Sequence, residues 1–252
     1  MKENHKNKTI GLERKFEEVF GSQGIDLYYT QHFDNLPPVT KEDIFQKAKT
    51  LISISFGQNQ EDPDFDEDTT KFLKNGELYV LYKDGKVIGI KLVQILSFES
   101  SRILYLAGTA IDPEWQGRGL NSQLTSSLIQ SHNIDVMVAR TQNPNNYKML
   151  QRFCGTVWPQ GDSKPPQFIQ KIGLHMADRL GRTSGTFNPQ TLVDKDTYGS
   201  AIYETIPHPQ SSSPEINALF ANLLNFADGD SLLTIGEVNK PSADLRPRMG
   251  RF

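Results

Sequence analysis

A short glycine-containing segment separates a strand pattern from a helix pattern in the middle of the chain. The apolar run 103–111 predicts a β-strand, and three leucines spaced four apart, beginning at Leu120, predict one face of a helix. Gly117 and Gly119 stand between the two patterns and can adopt backbone angles that other residues avoid. Because a strand that turns sharply into a helix directs main-chain N–H groups and the positive end of the helix dipole to one point, the segment predicts a phosphate-binding loop.

Two common nucleotide-binding patterns fit this loop poorly. A P-loop requires Gly-Lys followed by Ser or Thr, whereas Gly119 is followed by Leu120 and Asn121, so that pattern is excluded. A dinucleotide-binding fingerprint requires a third glycine where this chain has Ser122, and an acidic residue at the end of the next strand, whereas Asp135 begins that strand. A glycine-rich turn that binds no ligand stays open as an alternative.

The loop resembles motif A of the GCN5-related N-acetyltransferases, the GNAT superfamily, whose pattern is Gln or Arg, two residues, Gly, one residue, then Gly or Ala. Gln116 and Gly119 match this pattern, and Pro113-Glu114 supplies a pair that often precedes it. Asn121 departs from it, since it replaces the last small residue. The resemblance implies that the loop binds the pyrophosphate of coenzyme A through main-chain N–H groups. The implied binding residues are Gln116, Gly117, Arg118, Gly119, Leu120 and Asn121.

The order of predicted elements around the loop agrees with this family. Three strands are predicted before the loop, and a helix, a strand and a second helix are predicted after it. The resemblance implies an α/β (α+β) fold of the GNAT type, with a mixed, mostly antiparallel central sheet flanked by helices. It also implies a cleft where the family's fourth and fifth strands splay apart. The predicted strands are 78–82, 87–98, 103–111 and 135–140, and the predicted helices are 118–131 and 144–154.

The resemblance also implies where the pantetheine arm of coenzyme A lies. In the family the arm enters the gap between the two splayed strands, which here precede and follow the helix predicted at 118–131. Main-chain groups of Thr109, Ala110 and Ile111 would then bind the arm and polarise the thioester.

Asn143-Pro144 predicts the start of the second helix from its own chemistry, because Asn is a favourable N-cap and Pro suits the first helical turn. In the family an asparagine at this position commonly contacts the coenzyme A arm as well. Asn143 is therefore a candidate either for capping alone or for capping and binding.

The general acid is where the chain departs most from the family, which often places a tyrosine four residues before the glycine that ends this second helix. That position is Gln151, whose amide is a poor proton donor. Tyr147 lies one turn earlier on the same helix face and becomes the candidate catalytic acid, with packing against the sheet as the alternative. No general base is assigned, although Glu77, Glu99 and Asp112 are predicted near the mouth of the cleft and many family members use a chain of water molecules.

The flanking segments are predicted to complete one domain. Two strands, 199–206 and 231–236, would form the antiparallel hairpin that closes the family's sheet, separated by a helix that begins at Ser213-Pro214. Six acidic residues among residues 61–68 predict either a solvated loop or a rim that attracts a cationic amine. The predicted division is a polar lead at 1–10, a single GNAT-like domain at 11–238 (core 25–158, helical insertion about 161–196, closing strands about 199–236) and a loosely ordered tail at 239–252.

Composition narrows the remaining classes of function. The 252 residues carry a net charge of −3, so no general attraction to nucleic acid is expected. The longest apolar stretch, 87–98, is interrupted by Lys91 and Gln94 and is too short to cross a bilayer. The single cysteine, Cys154, excludes an intramolecular disulfide and suits a reducing compartment. We therefore expect a soluble, cytoplasmic protein with no nucleic-acid or membrane partner and no metal.

Together these observations predict an acyl-CoA-dependent N-acyltransferase. Acetyl-CoA is the expected co-substrate, and a primary amine is expected to attack its thioester directly in a ternary complex. One alternative is a non-catalytic coenzyme A-binding or sensory module, which Gln151 favours; another is an interaction scaffold that kept only the fold. The acceptor stays open among small amines, antibiotics, peptide N-termini and lysine, and so does the oligomeric state, for which a homodimer is one option.

Overall fold

One mixed sheet organises the computed structural model, which describes residues 11–182, 185–203 and 206–239. Its strand order among these residues is β1-β2-β3-β4-β5-β6-β10-β9-β8, and β7 also pairs with β10. Every pairing is antiparallel except that of β5 with β6, so the predicted mixed, mostly antiparallel sheet is confirmed. The strands are β1 (Glu13–Arg14), β2 (Ile25–Thr30), β3 (Glu77–Lys83), β4 (Lys86–Phe98), β5 (Ser101–Ile111), β6 (Val136–Thr141), β7 (Cys154–Trp158), β8 (Phe187–Asn188), β9 (Val193–Asp194) and β10 (Ser231–Val238).

Helices cover both faces of the sheet because each buries an apolar stripe against it. On one face α4, α5 and α7 pack on a cluster that includes Leu124, Leu150 and Phe220. On the other face α2 and α3 pack on β3 and β4, and α6 packs beside them on β5, β6 and β10. The helices are α1 (Glu17–Phe20), α2 (Pro38–Phe56), α3 (Phe65–Lys74), α4 (Leu120–His132), α5 (Pro144–Leu150), α6 (Gln167–Arg179) and α7 (Pro214–Leu223).

The parallel strands β5 and β6 separate part of the way along their length. Pairing joins Ile103–Leu106 to Val136–Ala139, after which β5 continues to Ile111 with no partner on that edge. The register between β4 and β5 shifts at the same level, so that Ala107 is an extra residue between Leu106 and Gly108. Such a bulge bends a strand away from its neighbour. The splayed cleft implied by the resemblance is therefore confirmed.

The predicted strand at 199–206 is wrong. No strand is present among its described residues, and Gly199 adopts a positive φ of 70°. Main-chain groups in and next to this segment form hydrogen bonds with distant residues instead. Tyr198 N–H donates to the Gly229 carbonyl at 3.2 Å, and Ile202 N–H donates to the Gln142 side chain at 3.2 Å. The strand predicted at 231–236 is confirmed as β10, but its partners are β6, β7 and β9.

The structure also sets the bounds of three helices. Helix α2 begins at Pro38, and Thr40 is a buried residue of its first turn. The acidic segment predicted as a loop continues into α3 from Phe65 onward. The second helix after the glycine loop ends at Leu150, before the predicted limit of 154.

The predicted polar lead (1–10) and all of the predicted tail except Asn239 lie outside the described residues. The division into core, insertion and closing strands stays a prediction. None of the helices in the described part of the chain has the length and apolar character needed to cross a membrane.

Candidate active site

A cavity of about 570 Å³ opens where β5 and β6 separate. Its walls are formed by the ends of these two strands, by α2 and α3 on one side, and by the first turns of α4 and α5 on the other. Four described residues of the loop 198–209 line a further side: Tyr198, Ile202, Tyr203 and Pro209. The cavity therefore lies at the point where the sequence predicts the pantetheine arm and the thioester.

The glycine loop presents a set of free N–H groups beside this cavity. Gly117 and Gly119 have φ angles of 73° and 78°, which only glycine adopts without strain, and they carry the chain from β5 into α4. The first helical bond of α4 runs from Gln123 N–H to the Gly119 carbonyl. Among the described residues, none accepts a hydrogen bond from the N–H groups of residues 117–122. Free N–H groups at a helix N-terminus form an anion-binding site.

Two side chains of the loop hold its shape. Gln116 Nε2 donates to the Ile111 carbonyl at 2.8 Å, which ties the loop to the end of β5, and Gln116 also lines the cavity. Arg118 lies over the Trp115 ring at 4.4 Å and donates to the Glu114 carbonyl at 3.0 Å. These contacts give both predicted binding residues a structural role.

Asn121 has a partner that the sequence analysis missed. Lys91, on β4, is 1% exposed, and its ammonium donates to Asn121 Oδ1 at 2.6 Å and to Thr125 Oγ1 at 2.9 Å. No ion pair with a carboxylate is found for Lys91 in the described part of the chain, and burial lowers its pKa to about 7. Asn121, the residue that departs from the family motif, thus accepts a hydrogen bond from a buried amine. The one signal in the sequence is a lysine inside the apolar run 87–98.

The residues predicted at the unpaired edge of β5 lie there. Thr109 and Ile111 line the cavity, whereas the Ala110 side chain is buried beneath α2 and α3. Leu120 is similar to Ala110, because its side chain is 2% exposed in the core and only its main chain is available to a ligand. For both residues any binding role belongs to main-chain groups.

Asn143 is confirmed as the N-cap of α5. Its Oδ1 accepts from Asn145 N–H at 2.9 Å, and Thr141 Oγ1 accepts from Asn143 N–H at 2.8 Å. Asn143 also lines the cavity, and its side chain interacts with Tyr203. Asn143 therefore both caps α5 and lines the cavity.

Tyr147, the predicted catalytic acid, does not line the cavity. The Tyr147 hydroxyl donates to the carbonyls of Val157 and Pro159, at 2.8 and 2.9 Å, on the side of α5 that packs against β7. The residue is 4% exposed and is not part of the cavity wall, and burial raises its pKa to about 12. The helical period placed Tyr147 on the correct face, but the carbonyls that hold it belong to a later segment of the chain.

Two other tyrosines do reach the cavity, and both lie in the loop 198–209. Tyr203 packs against Phe56 with ring centroids 5.8 Å apart, and burial raises its pKa to about 12. Tyr198 lies beside Arg140, whose guanidinium is 5.8 Å from the ring. Gln142 fixes this loop, since its side chain also donates to the Asp230 carbonyl at 2.8 Å. Nothing in the local sequence indicated that this segment would fold over the cleft.

None of the three carboxylates considered as bases lines the cavity. Glu77 accepts from the Tyr79 hydroxyl at 3.1 Å, Glu99 pairs with Lys171 at 3.5 Å, and Asp112 accepts from Glu114 N–H at 2.9 Å. Each of the three carboxylates therefore has a hydrogen-bond or ion-pair partner outside the cavity.

Comparison with known proteins agrees with this architecture. Residues 45–155 match the model of the acetyltransferase (GNAT) family, a span that runs from within α2 into β7 and includes the glycine loop. Residues 45–155 therefore match a GNAT acetyltransferase domain, which confirms the suspected resemblance over that span. A search of curated proteins gave no match.

Several solved acetyltransferase structures are similar to this chain at low identity. An IAA acetyltransferase from Bacillus cereus ATCC 14579 is 12% identical, with 84% of this chain and 99% of that chain covered and a TM-score of 0.41. A GNAT family acetyltransferase from Elizabethkingia anophelis with acetyl-CoA bound is 13% identical over 84% and 98%, with a TM-score of 0.40. A ribosomal-protein-alanine N-acetyltransferase from Brucella melitensis biovar Abortus 2308 is 16% identical over 46% and 78%, with a TM-score of 0.34. Values at this level carry no inference about the acceptor.

Proposed function

We propose that this protein is an acyl-CoA-dependent N-acyltransferase that transfers acetyl from acetyl-CoA to a primary amine. The observation that carries the proposal is the row of free N–H groups at residues 117–122, which opens onto the cavity beside the unpaired edge of β5. The free N–H groups would bind an anion, and the unpaired edge of β5 would hydrogen-bond an extended amide. One elongated molecule that carries both groups would occupy the two places together.

The residues at the site fit coenzyme A. The N–H groups of Gly117 to Asn121 would bind its pyrophosphate, and the free edge of β5 at Thr109, Ala110 and Ile111 would hydrogen-bond the amides of its pantetheine arm. Asn143, on the opposite wall, would contact the arm from β6's side of the cleft. Acetyl-CoA would supply the acetyl group as a thioester.

The chain's own groups then have to orient the reactants and move two protons. The amine nitrogen forms a bond to the thioester carbon while the C–S bond breaks, giving an amide and the thiol of coenzyme A. Main-chain N–H groups of the β5 edge would stabilise the negative charge that develops on the carbonyl oxygen. The amine proton leaves through water, since no carboxylate considered as a base lines the cavity, and the sulfur takes a proton from a nearby acid.

Tyr203 is our candidate for that acid, and Tyr147 is its matched control. Replacing Tyr203 with Phe should lower turnover by at least about tenfold, because the proton donor is lost while the ring packing is kept. Replacing Tyr147 with Phe should leave turnover unchanged and lower the free energy of unfolding by about 1–2 kcal/mol, because two buried carbonyls lose their donor. Steady-state kinetics and urea unfolding of both variants would check the pair; reversed effects would return the assignment to Tyr147.

Calorimetry with coenzyme A, followed by an assay of free thiol release from acetyl-CoA with a panel of amines, tests the proposed function. Binding with amine-dependent release is expected. Binding without release for any amine would favour the non-catalytic coenzyme A-binding module, and absence of binding would favour a scaffold. A cytoplasmic location and a homodimer stay predictions.

A further inference from the structure

The two ends of the cavity differ in chemistry. The end beside α4 and α5 is polar and carries amide side chains such as Asn121, Asn143 and Asn146. The opposite end, beside α2 and α3, is aromatic. Three phenylalanine rings line it: Phe56, Phe65 and Phe72. If coenzyme A occupies the polar end, as the proposed function requires, the aromatic end faces the acceptor.

Phe72 lies next to the predicted reaction centre. It packs directly on Gly108 in the bulged part of β5, where a Cβ would lie 2.3 Å from the ring carbon Cε2. Only glycine at position 108 leaves room for this ring against the strand. The aromatic surface therefore extends to the edge of β5 that we assign to the thioester.

Charge at this end suits a single cation. Asp68 is the one acidic residue among the described residues that line the cavity, and it is exposed at the mouth, 3.6 Å from Lys71. The one basic residue of the wall is Arg140. Arg140 shares the buried Asp194 with Arg182, at 3.7 and 2.9 Å, so two guanidiniums face one carboxylate. The wall thus carries one acidic and one basic side chain, and a polycation would meet a single carboxylate that already lies close to Lys71.

Two buried hydroxyls at this end have no partner. Ser55 Oγ and Thr69 Oγ1 belong to residues that line the cavity, and neither has a hydrogen-bond partner among the described residues. An unpaired buried hydroxyl is unfavourable, so an amine hydrogen that reached either oxygen after a rotation of the side chain would stabilise the complex.

We infer that the acceptor of this site is a monoamine with an aromatic body, of the arylalkylamine class. Its ring packs among Phe56, Phe65 and Phe72, and its amino group lies toward the bulge of β5. Polyamines, aminosugars and polar peptide N-termini fit less well, because they offer several charges or hydroxyls to a surface of aromatic rings. This inference rests on the proposed function for the direction in which the acceptor enters.

Calorimetric binding of 2-phenylethylamine to the protein, with and without saturating coenzyme A, tests the inference apart from catalysis. We expect 2-phenylethylamine to bind at least about tenfold more tightly than 1,4-diaminobutane. Phe72→Leu should weaken 2-phenylethylamine by about fivefold or more and leave coenzyme A affinity unchanged. Phe98→Leu is the matched control, since Phe98 packs against His175 away from the cavity and its loss should not change either affinity.

Phe56→Leu provides a second variant if Phe72→Leu does not fold. Tighter binding of 1,4-diaminobutane, of glucosamine or of a peptide N-terminus than of 2-phenylethylamine would overturn the inference, and so would equal affinities in the wild type and both cavity variants. Thiol release from acetyl-CoA is then measured with the same compounds. Binding in the expected order without thiol release would leave the acceptor class standing and refute the proposed catalysis.

Discussion

Replacing Lys91 with methionine is expected to raise the free energy of unfolding by about 3 kcal/mol at pH 7. Burial lowers the pKa of Lys91 from 10.5 to about 7 in the folded protein, whereas the unfolded chain keeps the ordinary value. The unfolded state therefore binds more protons between about pH 7 and 10.5, and wild-type stability falls as the pH is lowered through this window. A shift of this size corresponds to on the order of 4 kcal/mol, and the loss of a donor to Asn121 removes about 1 kcal/mol of the gain.

Urea unfolding at a series of pH values from 6 to 10 checks this expectation. The advantage of the methionine variant should be largest at and below pH 7 and should shrink as the pH approaches 10. Lys86→Met is the matched control, because Lys86 is an exposed residue of the same strand. A pH-independent difference, or a loss of stability at pH 7, would contradict a buried ammonium without a carboxylate partner.

Replacing Gly119 with valine is expected to weaken coenzyme A binding on the order of a hundredfold. The φ of Gly119 is 78°, so a β-branched residue would be strained by about 1–3 kcal/mol and the loop would leave its present shape. Each charge-assisted hydrogen bond lost from the N–H groups costs about 1.5–3 kcal/mol. Calorimetry with coenzyme A gives the affinity directly.

Gly181→Val separates the binding effect from backbone strain. Gly181 follows α6 with a φ of 69°, and an added Cβ there meets nothing within 4 Å. Both variants should lose similar stability, but only the Gly119 variant should lose affinity. Equal affinities for the two variants would show that the glycine loop does not bind the ligand.

The part of the fold that could be predicted from the sequence is the part that local patterns determine. The strands β3 to β6 follow from apolar runs bounded by turns, and the glycine loop and the Asn143 cap depend on residues within a few positions of one another. Helix α3 was missed because its acidic residues suggested a loop. Yet Phe65, Thr69 and Leu73, buried and spaced four apart, carry the helical period.

The parts that could not be predicted depend on contacts between distant segments. Lys91 reaches α4 across the sheet, and the hydroxyl of Tyr147 is held by carbonyls ten and twelve residues later. The loop that brings Tyr198 and Tyr203 to the cavity is held by Gln142 and Gly229, and no periodicity encodes such a contact. The glycine loop was therefore foreseen from its motif, whereas the aromatic wall of the cavity became visible only with the fold.

The short pairing between β5 and β6 has a consequence for the stability of the whole molecule. Four residue pairs, Ile103–Leu106 with Val136–Ala139, are the ladder that joins the five strands before the glycine loop to those after it. A ligand that fills the gap beyond these pairs would contact both parts of the sheet. Such a ligand would bind the folded state and not the unfolded chain. At a hundred times its dissociation constant such a ligand adds about 2.7 kcal/mol to the free energy of unfolding by mass action. The amount of folded protein, and its resistance to proteolysis, would then follow the supply of that ligand.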